Sequence, residues 1–196
     1  MIKRVFDIIF SFFGLILLLP LLLIIALLIK LESKGPLFYL QTRVGRHSKD
    51  FKIFKFRTMF VGSDKKGLLT LGDRDPRITK TGYFLRKYKL DELPQLINVF
   101  IGNMSFVGPR PEVRKYVNYY SHEDLIVLNA KPGITDYASI MYRDEAELLN
   151  EASNPEQFYI ENIMPKKIEL NKKYINSQGL ITDFKIIVKT IQIIIS

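Results

Sequence analysis

The 196-residue chain has no cysteine and two histidines, His47 and His122, far apart. The first absence excludes a disulfide framework, a zinc ribbon, a thiolate-ligated cluster and a thiol nucleophile. The scarcity of histidine leaves no HExxH and no Ser/His/Asp spacing to exploit. Neither GxxxxGK[ST] nor a strand–GxGxxG–helix unit is present, which removes P-loop and recognisable dinucleotide folds. No internal repeat, low-complexity tract or convincing linker stands out. Acidic residues are the minority charge, 20 Asp+Glu against 29 Lys+Arg, for a net +9. That balance favours acidic partners: nucleic acid, anionic lipid or phosphorylated substrates. Any chemistry must rest on carboxylates, basic side chains and backbone. With 47% hydrophobic residues, the chain can bury the core of one domain or slightly more.

The strongest local signal is Ile8–Ile29, 22 residues without a charge, interrupted only by Ser11, Gly14 and Pro20. A straight helix of that length reaches roughly 33 Å, enough to span a bilayer core. A signal peptide fits poorly, because the stretch is too long and no small-x-small cleavage site follows. Pro20 has no N–H for the Ile16 carbonyl, and its ring clashes there, so a kink is expected. Each half alone reaches only roughly 15–18 Å. Lys3 and Arg4 precede the stretch, and Lys30 and Lys34 follow it, so both ends favour the cytoplasm. A re-entrant helix–break–helix satisfies both ends and a span satisfies one; the residues alone leave both open.

A polar body follows the Gly35-Pro36 turn. Gln41–Phe60 holds six Lys/Arg and a single acid, Asp50. The alternation Phe51-Lys52-Ile53-Phe54-Lys55-Phe56-Arg57 predicts a half-buried strand. Val61–Asp75 reads as a loop. Helices are expected over Gly82–Lys89, from Asp91-Glu92 onward, over Glu112–Tyr120, His122–Ala130, Asp144–Ala152 and Pro155–Lys173. Gly102 to Pro111 reads as a rigid extended loop, and Pro132-Gly133 as a turn. Phe184–Ile195 sets Lys185, Lys189 and Gln192 near one face, with Ile/Val elsewhere. That pattern suits a helix lying on a membrane surface, or ordinary packing onto the core.

Asp91-Glu92 is the most interesting pair. Pro94 belongs in a first helical turn, which puts Asp91 or Glu92 at or beside the N-cap. There the helix dipole favours negative charge. Two diverging carboxylates suit a division of labour, one attacking and one holding Mg²⁺; most such pairs are simple caps. Arg86 lies five residues earlier. Arg110, between Pro109 and Pro111, has little freedom and is preorganised to present its fork to phosphate. Lys55 and Arg57 add charge. For Lys49, Lys52, Lys87 and Lys89 a solvated or lipid-facing role is the simpler reading.

At these residues the chain resembles the bacterial sugar transferases. The resemblance rests on Phe54-Lys55-Phe56-Arg57-Thr58-Met59, Asp75-Pro76-Arg77-Ile78-Thr79, Leu85-Arg86-Lys87 and Leu90-Asp91-Glu92-Leu93-Pro94-Gln95-Leu96. It continues through Asn98-Val99, Gly102–Pro111 and Lys131-Pro132-Gly133-Ile134-Thr135, in order over nearly the whole chain. The family's small monotopic phosphoglycosyl transferases move a sugar 1-phosphate from a UDP-sugar to polyprenyl phosphate and release UMP. This is the first membrane step of bacterial glycoconjugate synthesis. The resemblance implies Asp91 as the nucleophile of a covalent phosphosugar, Glu92 as the Mg²⁺ ligand, and Arg86 and Arg110 as phosphate binders. It also implies a re-entrant N-terminal segment broken at Pro20. The family often has Ser before that proline, where Leu19 stands here. Many members follow Gly-Ile-Thr with Gly and an aromatic residue, where Asp136-Tyr137-Ala138-Ser139 stands here, a segment with a bearing on sugar choice.

The expected fold is therefore α+β and mostly helical. Residues 1–34 form a re-entrant membrane anchor. Residues 35–196 form a small cytoplasmic catalytic domain with short strands and amphipathic surface helices, at the bacterial inner membrane. Expected partners are a UDP-sugar, polyprenyl phosphate, anionic lipids and downstream glycosyltransferases, with no nucleic acid. Two alternatives compete: a membrane-tethered basic module binding anionic lipid or nucleic acid without catalysis, and a phosphatase or pyrophosphohydrolase using the same carboxylates. The first needs neither Asp91-Glu92 nor the Pro-Arg-Pro loop, and no nucleic-acid-binding signature is present.

Overall fold

The computed structural model describes residues 2–63 and 75–195; most of the expected 61–75 loop lies outside them. Its first element is helix α1 (Ile2–Glu32). The helix runs through Pro20 without interruption, where two helices separated by a break were expected. A proline removes one ladder bond and crowds the carbonyl four residues back. Here Leu19 and Pro20 are exposed, so the ring meets no other element. Both halves also pack on the same body: Gly14 lies against Leu96, while Ile25 and Ile29 cluster with Phe56 and Leu85. Ser11 bonds back to the Asp7 and Ile8 carbonyls, away from Pro20.

Both ends of α1 are tied to that body. Lys3 Nζ donates to Val107 O at 2.9 Å and pairs with Asp183, and Arg4 donates to Val99 O and Phe100 O. At the other end, Glu32 accepts the N–H groups of Lys80 and Thr81 at 2.7 and 2.9 Å. The intervening apolar side chains face outward: Phe13, Leu17 and Leu23 are 62%, 80% and 62% exposed. An apolar face of this extent is what a lipid phase covers.

Strands β1 (Phe38–Val44) and β2 (Asp50–Phe56) form an antiparallel hairpin in the register Phe38↔Phe56 to Val44↔Asp50. β2 is the strand expected from the alternation, and it buries Ile53 and Phe56. Helix α2 (Lys80–Lys87) is capped by Thr79, whose side chain accepts the Gly82 N–H. A single 3-10 turn, Leu90–Glu92, then leads into α3 (Gln95–Ile101). Buried Asn98 locks α3 to β2, donating to Lys52 O at 2.8 Å and accepting from Phe54 N at 2.9 Å.

The 102–111 segment, expected to be irregular, contains β3 (Ser105–Val107), paired in parallel with β4 (Gly133–Thr135). The expected helix over 112–120 shrinks to α4 (Arg114–Val117), and 124–129 is a 3-10 stretch. α5 (Tyr137–Met141), α6 (Glu145–Glu151), α7 (Pro155–Phe158) and α8 (Met164–Asn176) follow, with a π-turn over Tyr159–Ile163. A core of Val113, Tyr116, Val127, Leu149, Tyr159, Ile163, Met164 and Ile168 holds them together. The last helix, α9 (Leu180–Ile195), packs onto the core, one of the two expectations for its segment. It buries Asp183 and Ile186 on the core, yet leaves Ile181, Phe184 and Ile191 exposed beside Lys185 and Lys189. The fold is α+β and mostly helical, with a long apolar helix on a small mixed domain.

Candidate active site

The α3–β2 lock brings the Leu90–Glu92 turn against Lys55, and the β3–β4 pair brings Arg110 to the same point. Lys55 Nζ donates to Glu92 Oε1 at 2.8 Å. The Arg110 guanidinium grips Glu92 with both terminal nitrogens, one of them at 3.1 Å from Oε2. One carboxylate therefore bridges two half-buried cations. Burial alone pushes the Glu92 carboxyl up, but Arg110 and Lys55 outweigh it and hold it well below the usual range. Burial also lowers the Lys55 ammonium, against the opposing pull of Glu92.

Asp91 differs from its neighbour. It is 8% exposed, and among the described residues no hydrogen bond or ion pair reaches its carboxylate. Burial, then the Glu92 charge, push its carboxyl up. The expected N-cap role is corrected: Asp91 lies in the 3-10 turn, Pro94 holds the cap position of α3, and no side chain caps that helix. The dipole that was to keep Asp91 ionised is therefore displaced, and the nearby charges of Lys55, Arg86 and Lys89 favour the anion instead.

Among the other expected site residues, Arg86 donates from Nε to Thr58 Oγ1 at 3.0 Å. Arg57 does not face the pair. It is buried, and its terminal nitrogens donate to Ser33 O, Ser33 Oγ and Lys34 O, at the junction after α1. The chain leaves β2 at Phe56, which turns the next side chain toward α1. Gly35 makes room for it, since a Cβ there would lie 2.1 Å from the guanidinium.

Two buried acids of consequence lie outside the Asp91-Glu92 motif. Asp7 accepts from Ser105 Oγ and Phe106 N, fixing β3 to α1. An acid beside a long apolar run is the signal that could have marked it. Asp136, fully buried, accepts the backbone N–H of Arg110 at 2.9 Å and caps α5 through Ser139 N at 2.6 Å. It thus positions the arginine from behind. Glu92 and Arg110 line a cavity of about 670 Å³. Phe10, Gly14 and Leu18 of α1 form an apolar arm, and Glu112, Glu145, Lys167 and Asn171 belong to a polar arm.

The donor chemistry suits a hard cation in one limited way. A carboxylate offers about four lone-pair sites, and Lys55 and Arg110 take three of those on Glu92. One remains on Oε2, enough for a single bond of the kind Mg²⁺ makes when substrate phosphates and water complete its shell. Among the described residues, no group of three His, Cys, Asp or Glu side chains could hold a metal by itself.

Comparison with known proteins gives the family. The family model described as "Bacterial sugar transferase" matches residues 1–196. An Aeromonas hydrophila UDP-N-acetylgalactosamine-undecaprenyl-phosphate N-acetylgalactosaminephosphotransferase is 38% identical over 198 residues, covering 100% of this chain and 44% of that protein. The Escherichia coli K12 UDP-glucose:undecaprenyl-phosphate glucose-1-phosphate transferase is 38% identical over 195 residues, covering 97% of this chain and 39% of that protein. The chain thus spans less than half the length of these two relatives. It spans 86% of the "uncharacterized sugar transferase EpsL" of Bacillus subtilis, at 36% identity over 191 residues and 97% of this chain. With a full-length family match and identities of this size, the chain belongs to the bacterial sugar transferase family.

Proposed function

We propose that this chain transfers a sugar 1-phosphate from a UDP-sugar to polyprenyl phosphate at a membrane surface, releasing UMP. One observation carries the reading. A buried carboxylate, Asp91, with no hydrogen-bond partner among the described residues, adjoins Glu92, which Lys55 and Arg110 clamp and which lines a cavity with an apolar arm made by α1. The names of the Aeromonas and E. coli relatives couple UDP-sugars to undecaprenyl phosphate, the same pairing of polar donor and lipid acceptor.

The steps follow from charge. Asp91, ionised, attacks the sugar-bearing phosphorus of the donor. A bond forms from an Asp91 carboxylate oxygen to phosphorus, giving an acyl phosphate, the diphosphate P–O bond to UMP breaks, and UMP leaves with the electron pair. An oxygen of the lipid phosphate then attacks the same phosphorus, Asp91 departs as carboxylate, and polyprenyl-diphosphate-sugar results. Anion attacking anion is repulsive, so Arg110 and Arg86 offset the phosphate charge. Glu92 orients the Arg110 fork and would hold Mg²⁺ through its remaining lone pair; the metal would supply neutralisation of phosphate charge. Burial of Asp91 strips its water and leaves the anion reactive.

Exclusion of water favours lipid phosphate over hydrolysis as the second step. The membrane seat follows from the exposed apolar face of α1, with both ends on one side because both are bonded to the same domain. The catalytic body then lies on the cytoplasmic face of the bacterial inner membrane, where basic flanks favour it.

The test is incubation of the purified protein with a UDP-sugar, Mg²⁺ and no lipid. The expected result is UMP release of one equivalent and a protein heavier by one phosphosugar, mapped to Asp91. Asp91→Asn should give neither. Continuous sugar-phosphate release without lipid would instead make the protein a hydrolase. A ternary-complex kinetic pattern without adduct would recast Asp91 as a base.

A further inference from the structure

The polar arm of the cavity has no part in the steps above. It begins behind Arg110. Asp136 accepts the Arg110 N–H with one carboxylate oxygen and the Ser139 N–H with the other, so Ser139 is fixed relative to the phosphate-binding arginine. Ser139 lies on α5, which packs on α8, the helix that carries Asn171. Both side chains line the cavity shared with Glu92 and Arg110.

One buried polar atom of each lacks a partner among the described residues. Asn171 is 6% exposed, and neither its Oδ1 nor the buried Oγ of Ser139 has a hydrogen bond among the described residues. A buried amide oxygen gives up water and receives nothing for it here, an arrangement that native interiors avoid. A donor arriving with a ligand resolves it.

The rest of the arm says what kind of donor. Two of the cations that line the cavity are already matched: Arg43 donates to Glu112 at 3.0 Å, and Lys167 to Glu145 at 2.8 Å. Tyr159 Oη also donates to Glu112. The unmatched atoms are Asn171 Oδ1, an acceptor, and Ser139 Oγ, which accepts or donates. An amide oxygen has no hydrogen to give a phosphate oxygen. It suits uracil poorly, with two carbonyls and one N–H. It suits a neutral ring carrying several O–H groups, and Tyr116 and Tyr142 also line the cavity.

We infer that this arm receives the hexose ring of the nucleotide-sugar donor, and that Asn171, with Ser139, sets sugar selectivity by accepting from a ring hydroxyl or acetamido N–H. The inference rests on the phosphosugar-transfer reading above.

The test uses the full chain with UDP-glucose, UDP-galactose, UDP-N-acetylglucosamine and UDP-N-acetylgalactosamine, scoring kcat/KM for each and inhibition by UMP. Asn171→Ala should lower kcat/KM for the preferred donor by about 10- to 100-fold, the penalty for leaving a substrate donor unmatched. The poorer donors should change less, so the selectivity ratio collapses while UMP inhibition holds. Ser139→Ala should move the ratio the same way, and it decides the matter if Asn171→Ala does not fold. Equal loss for all four donors overturns the inference, as does weakened UMP inhibition, which would put the uridine in this arm. Wild-type protein that turns over none of the donors takes down the transfer reading and the inference together. Turnover with unaltered ratios takes down the inference alone.

Discussion

Two adjacent carboxylates, in chemistry nearly the same, are shifted in opposite directions by their surroundings. Burial and Glu92 push Asp91 up, while Arg110 and Lys55 pull Glu92 down past its own burial. Activity that needs ionised Asp91 therefore falls away, as pH drops, at a higher pH than an ordinary carboxylate would dictate. The Lys55 charge works against that rise, so Lys55→Met should move the acid limb of kcat/KM to still higher pH. A limb that stays in place would show that Asp91 does not set it. Arg110 grips Glu92 with two nitrogens, a geometry that an ammonium lacks. Arg110→Lys should accordingly lose about 100-fold in kcat, the scale of one removed charge-stabilising group. Wild-type rates in that variant would reduce Arg110 to a diffuse positive charge. Glu92→Gln keeps the shape and loses the anion, so Mg²⁺ titration of residual activity should require far more metal. An unchanged titration would make Glu92 only a brace for Arg110.

Among the elements, close backbone approach places the site as much as side-chain packing does. A Cβ on Gly82 would lie 2.0 Å from the Thr58 carbonyl oxygen, where α2 meets the segment after β2. In an isolated helix Gly→Ala gains about 1 kcal/mol. Here overpacking costs about 1–3 kcal/mol or more. Gly82→Ala should thus lower Tm by about 2–8 °C, read by thermal unfolding in detergent; a higher Tm would show that the contact yields. The same approach explains what the sequence left illegible. β2 was readable because its alternation buries Ile53 and Phe56. Its partner β1 carried no comparable alternation, since Gln41, Thr42 and Arg43 interrupt it. β3 and β4 have three residues each and join distant segments, so no local period announces them. Asp91, Glu92, Lys55 and Arg110 were legible as a charged set, but their meeting depends on Asn98, Asp136 and those short strands. The place of Arg57 is not legible from charge alone, which does not show that Gly35 leaves a berth for it beside α1.

At the scale of the whole molecule, α1 carries two demands that a single span would set against each other. Its outward side chains are apolar for most of 31 residues. Its two ends are fastened to one domain, through Lys3 and Arg4 to the β3 and α3 region and through Glu32 to α2. Crossing the bilayer would carry one end about 30 Å from the other along the membrane normal, and the domain would have to lose one set of bonds or follow it into lipid. Burying the free face while keeping both sets requires the helix to enter and return, or to lie within one leaflet. Pro20 is the natural place for a bend, because one ladder bond is already missing there. The absence of cysteine makes the question easy to put. Ile2→Cys and Lys34→Cys, both at exposed positions, are labelled with a membrane-impermeant maleimide on intact and on permeabilised cells. Neither site should react until the membrane is opened, and both should react then. Labelling of one site alone on intact cells would establish a span. The bonds at that end of α1 would then belong to a different state of the molecule.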